Sequence, residues 1–95
     1  MASVGVLTLE LQIEGSHSLK EKRHVVKSLK DRLRVKFNVS VAEIDHQDSW
    51  QRSVIAVVAV SPDRIHLQGL LQAVESEAAH ILGGDLVGSD LEWLA

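Results

Sequence analysis

The chain of 95 residues has no cysteine, no tyrosine, one proline and one phenylalanine. The missing cysteine excludes disulfides, thiolate zinc sites and cysteine nucleophiles. Aromatics reduce to Phe37, Trp50 and Trp93, which is too few for a sheet that stacks RNA bases on two neighbouring strands. A Gly-rich phosphate loop is absent; Gly83-Gly84 reads as a helix stop. Long apolar runs are scarce too. The opening MASVGVLTLELQIEG lacks a basic start, and its apolar residues alternate with Thr8, Glu10 and Gln12. It therefore reads as neither a signal peptide nor a membrane span, and a soluble, intracellular chain with no membrane partner is expected. Size confines residues 1–95 to one domain with a modest core.

What the chain does have is separated charge. The formal net charge is −3, a weak argument against nucleic acid. Yet Lys20, Lys22, Arg23, Lys27, Lys30, Arg32, Arg34 and Lys36 form one block interrupted only by Glu21 and Asp31. The remainder holds two bases, Arg52 and Arg64, and eleven of the thirteen acids. Such asymmetry marks an interaction surface.

Periodicity orders the elements. Leu7, Leu9, Leu11 and Ile13 alternate with polar residues, so Val4–Glu14 reads as a half-buried strand. Ser18-Leu19-Lys20-Glu21 matches a capping box opening a helix over Leu19–Lys36, with Leu19, Val26, Leu29 and Leu33 on one arc. Phe37–Asp45 is a second strand, with Val39, Val41 and Ile44 as core candidates; its apolar phase slips between Val41 and Ile44, the mark of a bulge or twist. After the turn His46–Ser49, Trp50–Val60 is a third strand, apolar enough to be central. Ser61-Pro62-Asp63 starts a second helix, with Ser61 as its cap and Pro62 in its first turn. Leu67, Leu70, Leu71, Val74, Ala78 and Ile81 form its buried stripe, and Asp85–Leu94 closes as a fourth strand. The order β-α-β-β-α-β, with a short connection between strands two and three, defines an α+β, ferredoxin-like plan. Its four-stranded antiparallel sheet runs 4-1-3-2, with two helices on one face. Topology then gathers Gly15–Ser18, Asp45–Ser49 and Gly83–Asp85 at one end.

Three features are candidates for function. Lys20, Arg23, Lys27, Lys30 and Arg34 form a stripe along helix one. It is either a phosphate-tracking ridge or the solvated flank of an amphipathic helix. Lys22 falls inside the apolar arc, where it either snorkels or pairs with an acid near the loop end. The sheet face away from the helices carries Val6, Thr8, Glu10, Gln12 and half of the third strand's apolar run. A homodimer is the simplest cover for it, and a partner protein is the competing one. His17, His46, Asp45, Asp48 and Asp85 reach the loop end without any ligand spacing, so no metal is expected. Neither a catalytic constellation, a cofactor nor a small-molecule substrate is indicated. His24, His66 and His80 read as helix-surface or core-rim residues.

Ser18-Leu19-Lys20-Glu21-Lys22-Arg23, the run Phe37-Asn38-Val39-Ser40-Val41-Ala42-Glu43-Ile44-Asp45 and Trp50-Gln51-Arg52 together resemble the YlxP-like family of small bacterial proteins. That family is a domain of unknown function, and the resemblance spans nearly the whole chain. It implies a ferredoxin-like fold and a bacterial cytoplasmic setting. Family members are often encoded beside translation genes, including an initiation factor and ribosome-binding factor A. This implies a part in ribosome maturation or RNA handling, with ribosomal RNA or the ribosome as partner. The family brings no catalytic residues. Ser18, Lys22, Asp45, Trp50 and Arg52 are then either a composite recognition surface or a structural knot. In the knot, Lys22 or Arg23 pairs with Glu43 or Asp45 and Trp50 covers the joint. The expectation is a non-enzymatic RNA- or ribosome-associated binding protein. The alternative is a protein-interaction module with no nucleic-acid role.

Overall fold

A computed structural model describes residues 1–95. Strand β1 (Ser3–Gln12) leads into helix α1 (Leu19–Lys36), then strands β2 (Ser40–Asp45) and β3 (Arg52–Ser61), helix α2 (Arg64–Leu82), a short 3-10 turn over Gly83–Asp85, and strand β4 (Leu86–Trp93). All pairings are antiparallel, in the order β2-β3-β1-β4, the expected order read from the other edge. Alternation sorts the central strands between two faces. Leu7, Leu9, Leu11 and Ile13 of the first strand segment, with Ile55, Val57 and Ala59 of β3, are buried against the helices. Val26, Leu29 and Leu33 of α1 and Leu67, Leu71, Val74, Ala78 and Leu82 of α2 complete one core. Helix α1 packs beneath β2, and α2 beneath β1 and β3.

Local chemistry sets the helix ends. Ser18 is extended, and its Oγ accepts from the Glu21 amide at 3.1 Å. The Glu21 carboxylate accepts in turn from the His17 amide at 2.7 Å, one residue before the amide a strict capping box would use. At α2 the cap is Asp63, not Ser61. Asp63 Oδ1 accepts from the Ile65 and His66 amides at 3.0 and 3.2 Å. Ser61 Oγ accepts only from the Asp63 amide, and Pro62 precedes the helix. The carboxylate wins because it sits one residue before the first helical amides and carries a full charge toward the dipole. Helix α2 stops at Gly83, whose φ of 57° is a left-handed value that a side chain disfavours.

Three other expectations shift. Strand β2 begins at Ser40, leaving Phe37 and Val39 half-buried beside the core. The register slips between Glu43 and Asp45, where the broken apolar phase predicts a bulge. That slip turns Ile44 outward, and it is 53% exposed rather than a core residue. Leu70 and Ile81 flank the stripe of α2, which runs through Leu82 instead.

Candidate functional site

The loop end is a locked corner, built around Lys22. Inside the apolar arc of α1 its stem must cross the core, and its ammonium must then find acceptors, because a buried unpaired charge is prohibitively costly. It is fully buried. Its Nζ donates to Glu43 Oε2 at 2.8 Å and to the carbonyls of His46 at 2.8 Å, Gln47 at 3.2 Å and Arg52 at 3.4 Å. Four acceptors around one ammonium tie the second turn of α1 to both ends of the β2–β3 hairpin. His46 helps by taking a φ of 61°, a left-handed value. Glu43 also accepts from Ser53 Oγ at 2.6 Å. Burial works against the Glu43 carboxylate, but the hydrogen bonds from Lys22 and Ser53, with the charges of Lys22 and Lys30, hold its pKa below the ordinary 4.5.

A second tie closes the corner. Gln51 Nε2 donates to the carbonyls of Glu14 and Ser16 at 3.3 and 3.2 Å, and Ile13 donates its amide to the Gln51 carbonyl at 2.7 Å. Buried Ser16 donates to the Ser18 carbonyl at 3.1 Å. Of the sequence candidates, Lys22 and Ser18 are thus structural. Arg52 contributes its carbonyl, while its side chain stays exposed. Asp45 turns away to accept from the His46 amide at 2.7 Å and does not pair with Lys22. Trp50 is 58% exposed. Sequence reasoning missed Ser53, and it placed Gln51 at the loop end without the bonds that its amide makes to the Glu14 and Ser16 carbonyls. Ser53 leaves a trace, since it stands in phase with Ile55, Val57 and Ala59 on the core side of β3. A serine there signals a buried polar partner.

The basic stripe lies along the flank of α1 that borders β2. The fourteen residue steps of helix from Lys20 to Arg34 span about 21 Å. Arg34 Nη2 reaches the edge strand and donates to the Val41 carbonyl at 2.7 Å. Lys27 pairs with Asp31 at 2.6 Å, and that bond, above all, holds the Asp31 carboxyl below its ordinary 3.8. Lys20, Arg23 and Lys30 enter no ion pair. The opposite flank of α1 is spent on α2, through Lys36 and Glu77 at 2.8 Å.

The face of the sheet away from the helices is uncovered. The register sets Val4 beside Val60, Val6 beside Val58, Thr8 beside Ala56, Glu10 beside Val54 and Gln12 beside Arg52. Val60 is 65% exposed and its neighbours are partly so. No three His, Asp or Glu side chains converge to hold a metal ion, and no helix is long and apolar enough to cross a membrane.

Fold and surfaces together define a ferredoxin-like α+β module with a locked corner, a cationic helix flank and an open apolar sheet face. The chain belongs to the family described as "Protein of unknown function (DUF503)", whose model matches residues 4–88. It is 44% identical over 71 residues to the uncharacterized protein YlxP of Bacillus subtilis, across 75% of this chain and 77% of that one. Among solved structures it is similar to the designed protein Foldit4, with a TM-score of 0.63 at 12% identity, covering 100% of this chain and 98% of the other. A second designed protein, LFR1 1 with ferredoxin fold, superposes with a TM-score of 0.51 at 11% identity, over 98% and 83% of the two chains. These two likenesses are likenesses of fold.

Proposed function

We propose that the chain is a non-enzymatic RNA-binding module that acts on the ribosome or its RNA, with the β2-side flank of α1 tracking phosphates. The observation that carries this reading is the row of Lys20, Arg23 and Lys30. They stand on one helix flank without an internal ion pair, with Lys27 and Arg34 completing the line and Asp31 the one acid within it. Cations held in a row on a rigid helix displace condensed counterions from a nucleic acid, and the gain does not depend on sequence. Base stacking has no place in this reading, because the open sheet face bears valines where an RNA-binding sheet bears aromatics.

Fluorescence anisotropy with ribosomal RNA across a salt series is the test. The log of affinity should fall linearly with log salt, by about 0.7 per phosphate contact on single-stranded RNA. Replacing Lys20, Arg23 and Lys30 together by Gln should flatten that slope by about 2 units. The loop-end corner contains none of these side chains, so the fold should persist. No binding at low salt refutes the reading. The open apolar face favours a second reading, a protein-assembly module with no nucleic-acid role. On that reading the Gln variants change nothing, and crosslinking in cells recovers protein alone.

A further inference from the structure

We infer that the open sheet face is the interface of a two-fold symmetric dimer, in which a second copy packs face to face with its strands nearly parallel to those of the first. The area suffices. The four strands are ten, six, ten and eight residues long in chain order, and at about 3.3 Å per residue and about 4.8 Å between strands the face presents roughly 540 Å² per copy. Two copies bury about 1,100 Å², just above the roughly 1,000 Å² a specific interface needs.

The distribution of side chains selects the symmetry. Along the strands the face changes character: the Val4–Val60 and Val6–Val58 rows are apolar, the Glu10–Val54 row is mixed, and the Gln12–Arg52 row is polar. A two-fold axis perpendicular to the strands would press the valine end of one copy onto the charged end of the other. An axis parallel to the strands keeps like rows together and lays β3 of one copy over β1 of the other. Val58 and Val60 then meet Val6 and Val4 of the second copy. Arg52 lies above Gln12 of the second copy and within side-chain reach of its Glu10. Arg52 is exposed and enters no ion pair within its own chain. The symmetric contact pairs both arginines with both glutamates. Asp90 and Glu92 on β4 fall over the uncharged Ala42 and Ser40 of β2, near the corners that a sheet twist of about 30° splays apart.

Edge-to-edge association is disfavoured by the structure itself. Strand β2 has six residues and a register break, and Arg34 already occupies the Val41 carbonyl. Strand β4 has its own register shift opposite Glu10 and Leu11 and carries Asp90 and Glu92. Short, bulged and charged edges resist pairing. The dimer leaves both cationic flanks on its outer surfaces and does not depend on RNA binding.

Sedimentation equilibrium of the purified chain, without RNA, tests this. The expected particle has twice the 10.4 kDa chain mass. V58E should give a monomer with unchanged far-UV circular dichroism. Because V58E could also disturb folding, charge reversal at two exposed positions supplies an independent readout. R52E and E10R should each raise the dimer dissociation constant about tenfold or more, and the R52E/E10R double variant should restore most of the loss. A monomer up to millimolar concentration overturns the proposal. So does a dimer indifferent to V58E, or a double variant no tighter than the single ones.

Discussion

Replacing Lys22 by Met retains the straight stem that crosses the core and deletes only the ammonium. The loss is concentrated, because Nζ serves the Glu43 carboxylate and three hairpin carbonyls at once. Removing one partner of a buried ion pair costs about 3–5 kcal/mol. Glu43 retains 16% side-chain exposure and its bond from Ser53, so partial rehydration sets the expected cost near the lower bound, about 3 kcal/mol. Total stability for a domain of this length is about 5–14 kcal/mol, and each kcal/mol moves Tm by about 4–8 °C. Urea unfolding followed by circular dichroism should therefore show K22M with a midpoint far below the parent. K22M/E43M should recover part of the loss, because the stranded carboxylate is gone while the carbonyls of His46, Gln47 and Arg52 still lack the ammonium and Ser53 loses its acceptor. The pH dependence has a definite sign. The Glu43 carboxyl titrates below 4.5 in the folded chain, so its contribution is present above that value and lost as pH falls through the folded pKa. K22M should shrink this acid-limb loss. A K22M variant within 1 kcal/mol of the parent at pH 7 would refute the claim that the ammonium holds the corner together.

Two further predictions probe the elements that frame the site. Asp63→Ala should destabilise the chain by about 1 kcal/mol in the same urea assay, and Ser61→Ala by clearly less, since Asp63 is the residue that caps α2. Gly5→Ala should cost about 1–3 kcal/mol, because a methyl group there would lie 2.6 Å from Leu71 Cδ1 and 3.2 Å from the Trp93 ring. A neutral Gly5→Ala would mean that Leu71 and Trp93, whose ring also carries the Arg64 guanidinium at 4.3 Å, yield more easily than a packed core should.

The elements and their order were legible in the sequence because period is a local property. Alternation from Leu7 to Ile13, the arc of Val26, Leu29 and Leu33, and the Ser18–Glu21 cap each depend on residues a few positions apart. The bulge in β2 was legible for the same reason, but its consequence for Ile44 was not, because a slipped apolar phase does not say which side of the slip stays buried. The loop-end site was half legible. A lysine inside an apolar arc demands a buried acceptor, and Glu43 was among the acids within reach. The three carbonyls that complete its shell belong to His46, Gln47 and Arg52, between 24 and 30 residues away, and backbone acceptors carry no side-chain signature. The stripe from Lys20 to Arg34 was fully visible as a pattern. The Lys27–Asp31 pair, four positions apart on one helix, is legible in that pattern too. Only the tertiary structure decided that Arg34 is spent on an edge carbonyl, while Lys20, Arg23 and Lys30 enter no ion pair. The sequence by itself determined which residues share a face. Tertiary structure determined what each face meets, because that depends on where the register and the crossovers bring distant chain segments together.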